Sequence, residues 1–132
     1  RSILGDDKII GLSVENLSDI QAANSLDIDY IALSPVFGTP TKTDTNTPFL
    51  LDGVRKAMAQ TSLPVVGIGG MNRVTAHDAM LCGLDGIAVV SDIVSSLSPR
   101  ESAESLIRIV RDNNGSWCQN AWNAINPILN RI

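Results

Sequence analysis

Four short apolar segments, each followed by a segment with helical periodicity, place the strongest constraint on how this chain folds. The apolar segments cover residues 9–14, 30–37, 63–68 and 86–91 and are rich in β-branched or small residues. Strands that are apolar throughout are typical of parallel sheets that are buried on both faces and joined by right-handed crossovers. The alternation therefore predicts an α/β fold whose chemistry lies at the carboxyl ends of the strands.

The helical segments have their apolar residues at spacings of three and four. In chain order these residues are Leu17, Ile20 and Ala23; then Leu50, Leu51, Val54, Ala57 and Met58; then Val74, Ala79, Met80 and Leu81. A further helix is predicted from the capping-box pattern at residues 98–101, which has proline at the first helical position, and it ends near Asn113. Beyond it, apolar residues from Trp117 to Leu129 predict another helix, bent or broken near Pro127. We therefore divide the chain into an α/β unit, residues 1–112, and a helical extension or linker, residues 113–132.

The length of the chain fits only about half of a barrel built from such units. A complete (β/α)8 barrel needs roughly 200 to 250 residues, and this chain has 132. A parallel half barrel would expose two strand edges, which is an aggregation hazard. We therefore expect a partner that supplies the other half, or an association of two halves as a homo-oligomer.

Charge and cysteine content narrow the function classes and the compartment. The net charge is −4 and there is no basic cluster, which argues against nucleic-acid and membrane partners. Cys82 and Cys118 lie in unlike contexts, so neither a disulfide framework nor a metal cluster is expected. The chain opens on Arg1 with no signal-peptide pattern, and no apolar run approaches the roughly 18 residues of a membrane span. We expect a soluble cytoplasmic protein whose true N-terminus lies upstream.

Two turns at the ends of the third and fourth apolar segments indicate an anion site. Gly69 and Gly70 allow close approach of the backbone to a ligand, and Asn72 follows as a possible helix cap. Val90 and Ser91 bring backbone N–H groups to the next turn, and barrels of this kind commonly bind phosphate between the loops after their last two strands. The alternative is that the glycines only make tight turns and that Ser91 caps a helix. The two motifs together favour a phosphate site.

Three polar residues in the segment after the second strand could bind phosphoryl oxygens. Thr39 and Thr41 offer hydroxyl groups, and Lys42 offers an ammonium group that can stabilise a departing pyrophosphate. From composition alone, a solvated threonine-rich loop is the simpler interpretation. Ser13, at the end of the first strand, could cap the next helix or donate to an anion, and local pattern favours the cap.

The remaining polar candidates are assigned structural or solvent-exposed positions. His77, the single histidine, falls on a helix and not at a strand end, which disfavours a catalytic role. Asp6, Asp7 and Asp85 precede strands, on the side of a barrel that serves stability.

Four motifs follow one another over roughly residues 1–96, namely IIGLSV, DYIALSPVFGTPTK, PVVGIGGMN and GLDGIAVVSDI. In this order and spacing, they resemble the second half of thiamine phosphate synthase. The resemblance implies a (β/α)8 TIM barrel of which this chain supplies about the last four βα units and a C-terminal helical extension. It implies the joining of hydroxymethylpyrimidine pyrophosphate to thiazole phosphate, giving thiamine phosphate and pyrophosphate. The implied Mg2+ has its ligands in the missing N-terminal half, so no metal ligand is assigned here.

The resemblance also assigns roles to individual residues. Ser13 and Lys42 match catalytic positions that contact pyrophosphate, and Thr39 and Thr41 match positions near the thiazole phosphate. Gly70, Val90 and Ser91 match the cup for that phosphate. The chain departs from the family pattern at Ser34, where glycine is usual, and at Val14-Glu15, in place of a histidine-containing segment.

Two other functions remain open at the level of sequence. A thiazole tautomerase-like paralogue would share the phosphate cup but transfer a proton and need no pyrophosphate contacts. A non-catalytic barrel fragment would keep phosphate binding alone. The tail also leaves open a connection to a fused kinase domain.

Overall fold

The computed structural model describes residues 1–38 and 47–113, which form a parallel α/β structure. The strands are β1 (Gly11–Val14), β2 (Tyr30–Leu33), β3 (Val65–Ile68) and β4 (Gly86–Ala88), hydrogen-bonded in the order β1-β2-β3-β4. The helices are α1 (Leu17–Ala23), α2 (Leu50–Met58), α3 (Ala76–Leu81), α4 (Ser91–Val94) and α5 (Pro99–Asn113). All three strand pairs are parallel, so the predicted α/β class is confirmed.

One face of the sheet packs against the helices and forms the core. In one row across the sheet, Val14, Leu33 and Gly67 are buried. Gly67 leaves room for a neighbouring side chain, because a Cβ there would lie 2.6 Å from Cδ1 of Leu84. The helices contribute eight further buried apolar residues to this core, namely Ile20, Ala23, Val54, Ala57, Ala76, Ala79, Met80 and Leu106. The rest lie on strands and connecting segments, namely Ile31, Val36, Val65, Met71, Cys82 and Leu84.

The opposite face of the sheet is not buried within the described residues. The row Ser13, Ala32 and Val66 alternates with the buried row, and none of its members is buried. The prediction that the strands are buried on both faces is therefore wrong for this chain as described. The reason is that helices cover one face only, and a second layer is needed to cover the other.

The observed elements differ from the predicted ones mainly at their ends. All four strands are shorter than the predicted apolar segments, and Ser91 begins α4 instead of ending a strand. The third helix begins at Ala76, and Val74 before it is 85% exposed, so its assignment to the apolar face was wrong. α5 begins at Pro99 and reaches Asn113, as the capping pattern predicts. The predicted helix from Trp117 to Leu129 lies outside the described residues.

An aspartate before β2 and another before β4 fix the start of the preceding strand. The N–H of Ile10 donates to Oδ2 of Asp29 at 2.6 Å, and the N–H of Val65 donates to Oδ2 of Asp85 at 2.8 Å. The N–H of each aspartate in turn donates to the carbonyl of the same partner residue. The structural role predicted for Asp85 is confirmed, whereas Asp6 and Asp7 are exposed.

Charge and hydrogen bonding at Asp29 also affect its protonation. The N–H of Ile10 and then the guanidinium of Arg1, 2.9 Å away, hold the pKa of the Asp29 carboxyl below its ordinary value of 3.8.

Across the described residues, no helix is both long and apolar enough to cross a membrane.

Candidate functional site

The loop after β2 and the turn after β3 lie directly against each other at the carboxyl edge of the sheet. The N–H of Val36 donates to the carbonyl of Ile68 at 2.8 Å, and the N–H of Phe37 donates to the carbonyl of Gly69 at 3.1 Å. These bonds continue the pairing of β2 with β3 beyond the strands themselves. Gly38, the next residue of this loop, therefore lies beside the turn after β3.

Glycine is required at both positions of that turn. Gly69 has φ of 90° and Gly70 has φ of 62°, a region that L side chains rarely adopt. A Cβ on Gly70 would lie 2.6 Å from Cβ of Phe37 and 2.8 Å from the carbonyl oxygen of Gly38. The two glycines thus permit both the turn and the close approach of the loop after β2.

Asn72 and Thr75 hold the chain that follows the glycine turn. Oδ1 of Asn72 accepts from the N–H groups of Val74 and Thr75, at 2.8 and 3.1 Å, and so holds the turn before α3. The predicted helix cap at Asn72 is wrong, because α3 begins at Ala76 and Thr75 lies at its cap position. In return, Oγ1 of Thr75 accepts from the N–H of Asn72 at 3.0 Å. The Thr75 hydroxyl and the Asn72 side-chain amide also donate to the carbonyl of Gly70, at 3.1 and 3.3 Å. The peptide between Gly70 and Met71 is therefore fixed in orientation.

Arg73 and Asp92 join the turn after β3 to the turn after β4. The backbone N–H and Nε of Arg73 both donate to Oδ2 of Asp92 at 3.0 Å, and Nη2 donates to Oδ1 at 3.3 Å. The Asp92 side chain is only 16% exposed. Sequence analysis missed this pair, because nothing local relates two residues 19 positions apart until the two strands are neighbours.

Several backbone N–H groups at these two turns have no acceptor in the part of the chain that the structure describes. They include those of Gly70, Val90 and Ser91, the residues assigned to the phosphate cup, together with those of Gly69, Met71 and Asp92. β3 and β4 are adjacent, so the turns that follow them are neighbours at one edge of the sheet. Backbone N–H groups on neighbouring turns can donate to the oxygens of one anion where they point toward it.

The other predicted site residues fall in three different situations. Ser13 is exposed and does not cap α1, since Oδ1 of Asn16 takes that position and accepts from the N–H of Asp19 at 3.0 Å. At about 4.8 Å per strand, Ser13 on β1 is on the order of 14 Å from β4, so it is separated from the Val90–Ser91 turn. Thr39, Thr41 and Lys42 lie outside the described residues. His77 is exposed on α3, next to Asp78.

The described residues contain no group of three or more His, Cys, Asp or Glu side chains arranged to hold a metal ion. The resemblance places the Mg2+ ligands outside this chain, and that assignment stays a prediction. No chemical step on these residues is assigned to that ion.

Comparison with known proteins decides the family. The family model for thiamine monophosphate synthase matches residues 1–93. The chain belongs to the thiamine monophosphate synthase family. Among the members of this family, the thiamine-phosphate synthase of Vibrio campbellii is 42% identical over 84% of this chain and 54% of its own length. That of Leptospira biflexa is 46% identical over 80% of this chain and 52% of its own length.

A solved member of the thiamine monophosphate synthase family has the same fold over the matched region. The thiamine phosphate pyrophosphorylase from Pyrococcus furiosus superposes with a TM-score of 0.72 at 34% identity, over 81% of this chain and 50% of that one. The chain thus spans about half the length of the family members it matches.

Proposed function

We propose that this chain supplies the thiazole-phosphate side of a thiamine phosphate synthase active site. The whole protein would join hydroxymethylpyrimidine pyrophosphate to thiazole phosphate and release pyrophosphate. The observation that carries the proposal is the set of N–H groups at Gly70, Val90 and Ser91, on two adjacent turns, that lack acceptors among the described residues. A phosphate monoester would provide the acceptor oxygens.

The segment after Gly38 would bring the second set of contacts to the same place. Because Gly38 lies against Gly70, the chain toward Thr39, Thr41 and Lys42 starts beside the proposed phosphate cup. We assign the two threonine hydroxyls to the thiazole phosphate and the Lys42 ammonium to the leaving pyrophosphate, with Ser13 as a second pyrophosphate contact. A cation placed where negative charge develops lowers the barrier to bond cleavage.

A complementary half would complete the site, and the sheet supports this part of the proposal. In the described sheet, β1 and β4 each have a neighbour on one side only. Beside β4, an apolar groove of about 450 Å³ is lined by Ile87, Val89, Ile93 and the α5 residues Ala103, Leu106, Ile107 and Val110. We propose that an N-terminal half barrel pairs with these edges, covers the open sheet face and provides the Mg2+ ligands, in a cytoplasmic enzyme.

The experiment is an assay of thiamine phosphate formation by the chain assembled with this complementary half, with both substrates and Mg2+ supplied. Lys42→Ala should lower kcat by about 100-fold, the usual loss when one group that stabilises developing charge is removed. Its unfolding midpoint should be unchanged. Lys56→Ala, which removes the same charge from an exposed position on α2, is the matched control and should keep full activity.

The possible results separate the competing functions. Absence of thiamine phosphate formation by the unmodified protein would contradict the synthase proposal. Isomerisation of thiazole carboxylate phosphate in its place would establish the tautomerase-like alternative, and binding of thiazole phosphate without either reaction would establish a binding fragment. Full activity of Lys42→Ala would remove Lys42 from the mechanism.

A further inference from the structure

We propose that Arg73 and Asp92 are positioning residues that set the distance between the two turns of the phosphate cup. The inference rests on the proposed function and adds a claim about how the cup is built. In this account the guanidinium of Arg73 does not contact the phosphate. Its role is to hold Asp92, and with it the Val90–Ser91 turn, at a fixed place relative to Gly70.

The geometry of this pair differs from that of the other arginine–carboxylate pairs on the helices. Arg55–Asp52 and Arg100–Glu104 each join neighbouring turns of a single helix through one contact, and all four side chains are largely exposed. The Asp92 carboxylate instead accepts three hydrogen bonds, and one of them comes from the backbone of residue 73. Because it accepts from backbone and side chain together, it fixes the path of the chain and not only a side chain.

A continuous set of contacts runs from this pair to the N–H groups of the cup. On one side, Asn72 directly precedes Arg73 and donates to the carbonyl of Gly70. On the other side, Asp92 directly follows Ser91. A change in the spacing of Arg73 and Asp92 therefore moves the N–H groups of Gly70 and Ser91 relative to each other. Both must lie within hydrogen-bond distance of one phosphate for the cup to bind it.

The effect of removing Asp92 on phosphate affinity distinguishes a positioning role of Arg73 from direct phosphate binding by Arg73. If Arg73 bound the phosphate directly, Asp92 would compete for the guanidinium, and removing Asp92 would strengthen phosphate binding. If the pair acts by positioning, removal of either partner weakens binding. The two accounts thus predict opposite effects for the same Asp92 variant.

The experiment measures the affinity of the assembled protein for thiazole phosphate by calorimetry, in a double-mutant cycle. Asp92→Ala removes the acceptor for all three hydrogen bonds and should weaken binding about 10-fold, whereas Arg73→Ala keeps the backbone bond and should weaken it about 3-fold. The double variant should resemble Asp92→Ala alone, since the two residues act as a unit. In turnover, Asp92→Ala should raise KM for thiazole phosphate by a larger factor than it lowers kcat.

Controls keep the result interpretable. Glu104→Ala breaks the exposed pair on α5 and should leave the affinity unchanged. Arg73→Lys retains the charge and the fold and should restore part of the affinity lost in Arg73→Ala. Stronger binding in Asp92→Ala, or wild-type affinity in both single variants, would overturn the positioning role while leaving the proposed function intact. Failure of the unmodified protein to bind thiazole phosphate would overturn both.

Discussion

Gly70 is constrained by its backbone and by its neighbours at the same time. Its φ of 62° alone disfavours any L side chain, and the loop after β2 leaves no volume for a Cβ. A single methyl group at this position would therefore disturb both the turn after β3 and the loop after β2.

Gly70→Ala should lower stability and weaken thiazole phosphate binding. The left-handed backbone costs about 1–2 kcal/mol for alanine, and the contact with Phe37 adds to this cost. The displaced N–H should reduce affinity about 10-fold or more, because a misplaced donor loses its hydrogen bond. Urea unfolding and calorimetry measure the two effects.

Gly5→Ala provides the matched control for that substitution. Gly5 has φ of 77° and no atom within 4 Å of the position that a Cβ would take, so alanine there reports the backbone cost alone. Its affinity for thiazole phosphate should equal that of the unmodified protein. If Gly70→Ala bound thiazole phosphate equally well, Gly70 would not be part of the cup.

At the level of single residues, sequence predicted features that depend on neighbouring residues in the chain. It missed contacts that form only when distant segments come together in the fold. The glycine turn follows from local backbone chemistry, and the structure contains it. Asn72 was predicted to cap the next helix, but its side chain accepts from the turn before that helix. Ser13 was predicted to cap α1, but Asn16 lies at the helix start and accepts the bond from Asp19. The Arg73–Asp92 pair could not be predicted, because it depends on β3 and β4 being neighbours.

At the level of elements, the two strand–helix–strand units β1-α1-β2 and β3-α3-β4 use the same device to align their strands. Asp29 exchanges two hydrogen bonds with Ile10, directly before β1. Asp85 exchanges two with Val65, the first residue of β3. This device fixes the amino ends of the strands and so the relative position of the turns at their carboxyl ends. Hydrogen bonds at the amino ends of the strands thereby help to set the positions of the turns at their carboxyl ends.

Asp85→Ala should destabilise the fold by about 1–3 kcal/mol, because the part-buried N–H of Val65 loses its acceptor. Urea unfolding measures the change. Asp7→Ala, at an exposed position before β1, should change stability by no more than about 0.5 kcal/mol. Equal stability of the Asp85 variant and the unmodified protein would show that the hydrogen bond to Val65 contributes nothing to strand alignment.

The order and type of the elements could be predicted from sequence better than their ends. Apolar periodicity located all four strands and the helices α1, α2 and α3, and the capping-box pattern located α5. Periodicity extended the strands too far, because apolar residues such as Val36 continue beyond the last strand residue and are buried in the loop. It also missed α4, whose four residues are too few to show a period.

At the level of the whole molecule, the described residues form a parallel four-stranded sheet with helices on one face. The chain spans about half the length of its family members, and its described sheet has an open face and two edges with one neighbour each. The half barrel that sequence length indicates stays a prediction, and the open sheet face supports the proposal of a complementary half. We propose that this half binds the thiazole phosphate and that the other half binds Mg2+ and the pyrimidine.

The most direct test of this account is a titration of the assembled protein with thiazole phosphate, followed by the chemical shifts of its backbone amides. The account predicts that the amide signals of Gly70, Val90 and Ser91 move most and saturate together, because their N–H groups receive the phosphate oxygens as acceptors. Saturable binding that leaves these three signals unmoved would contradict it.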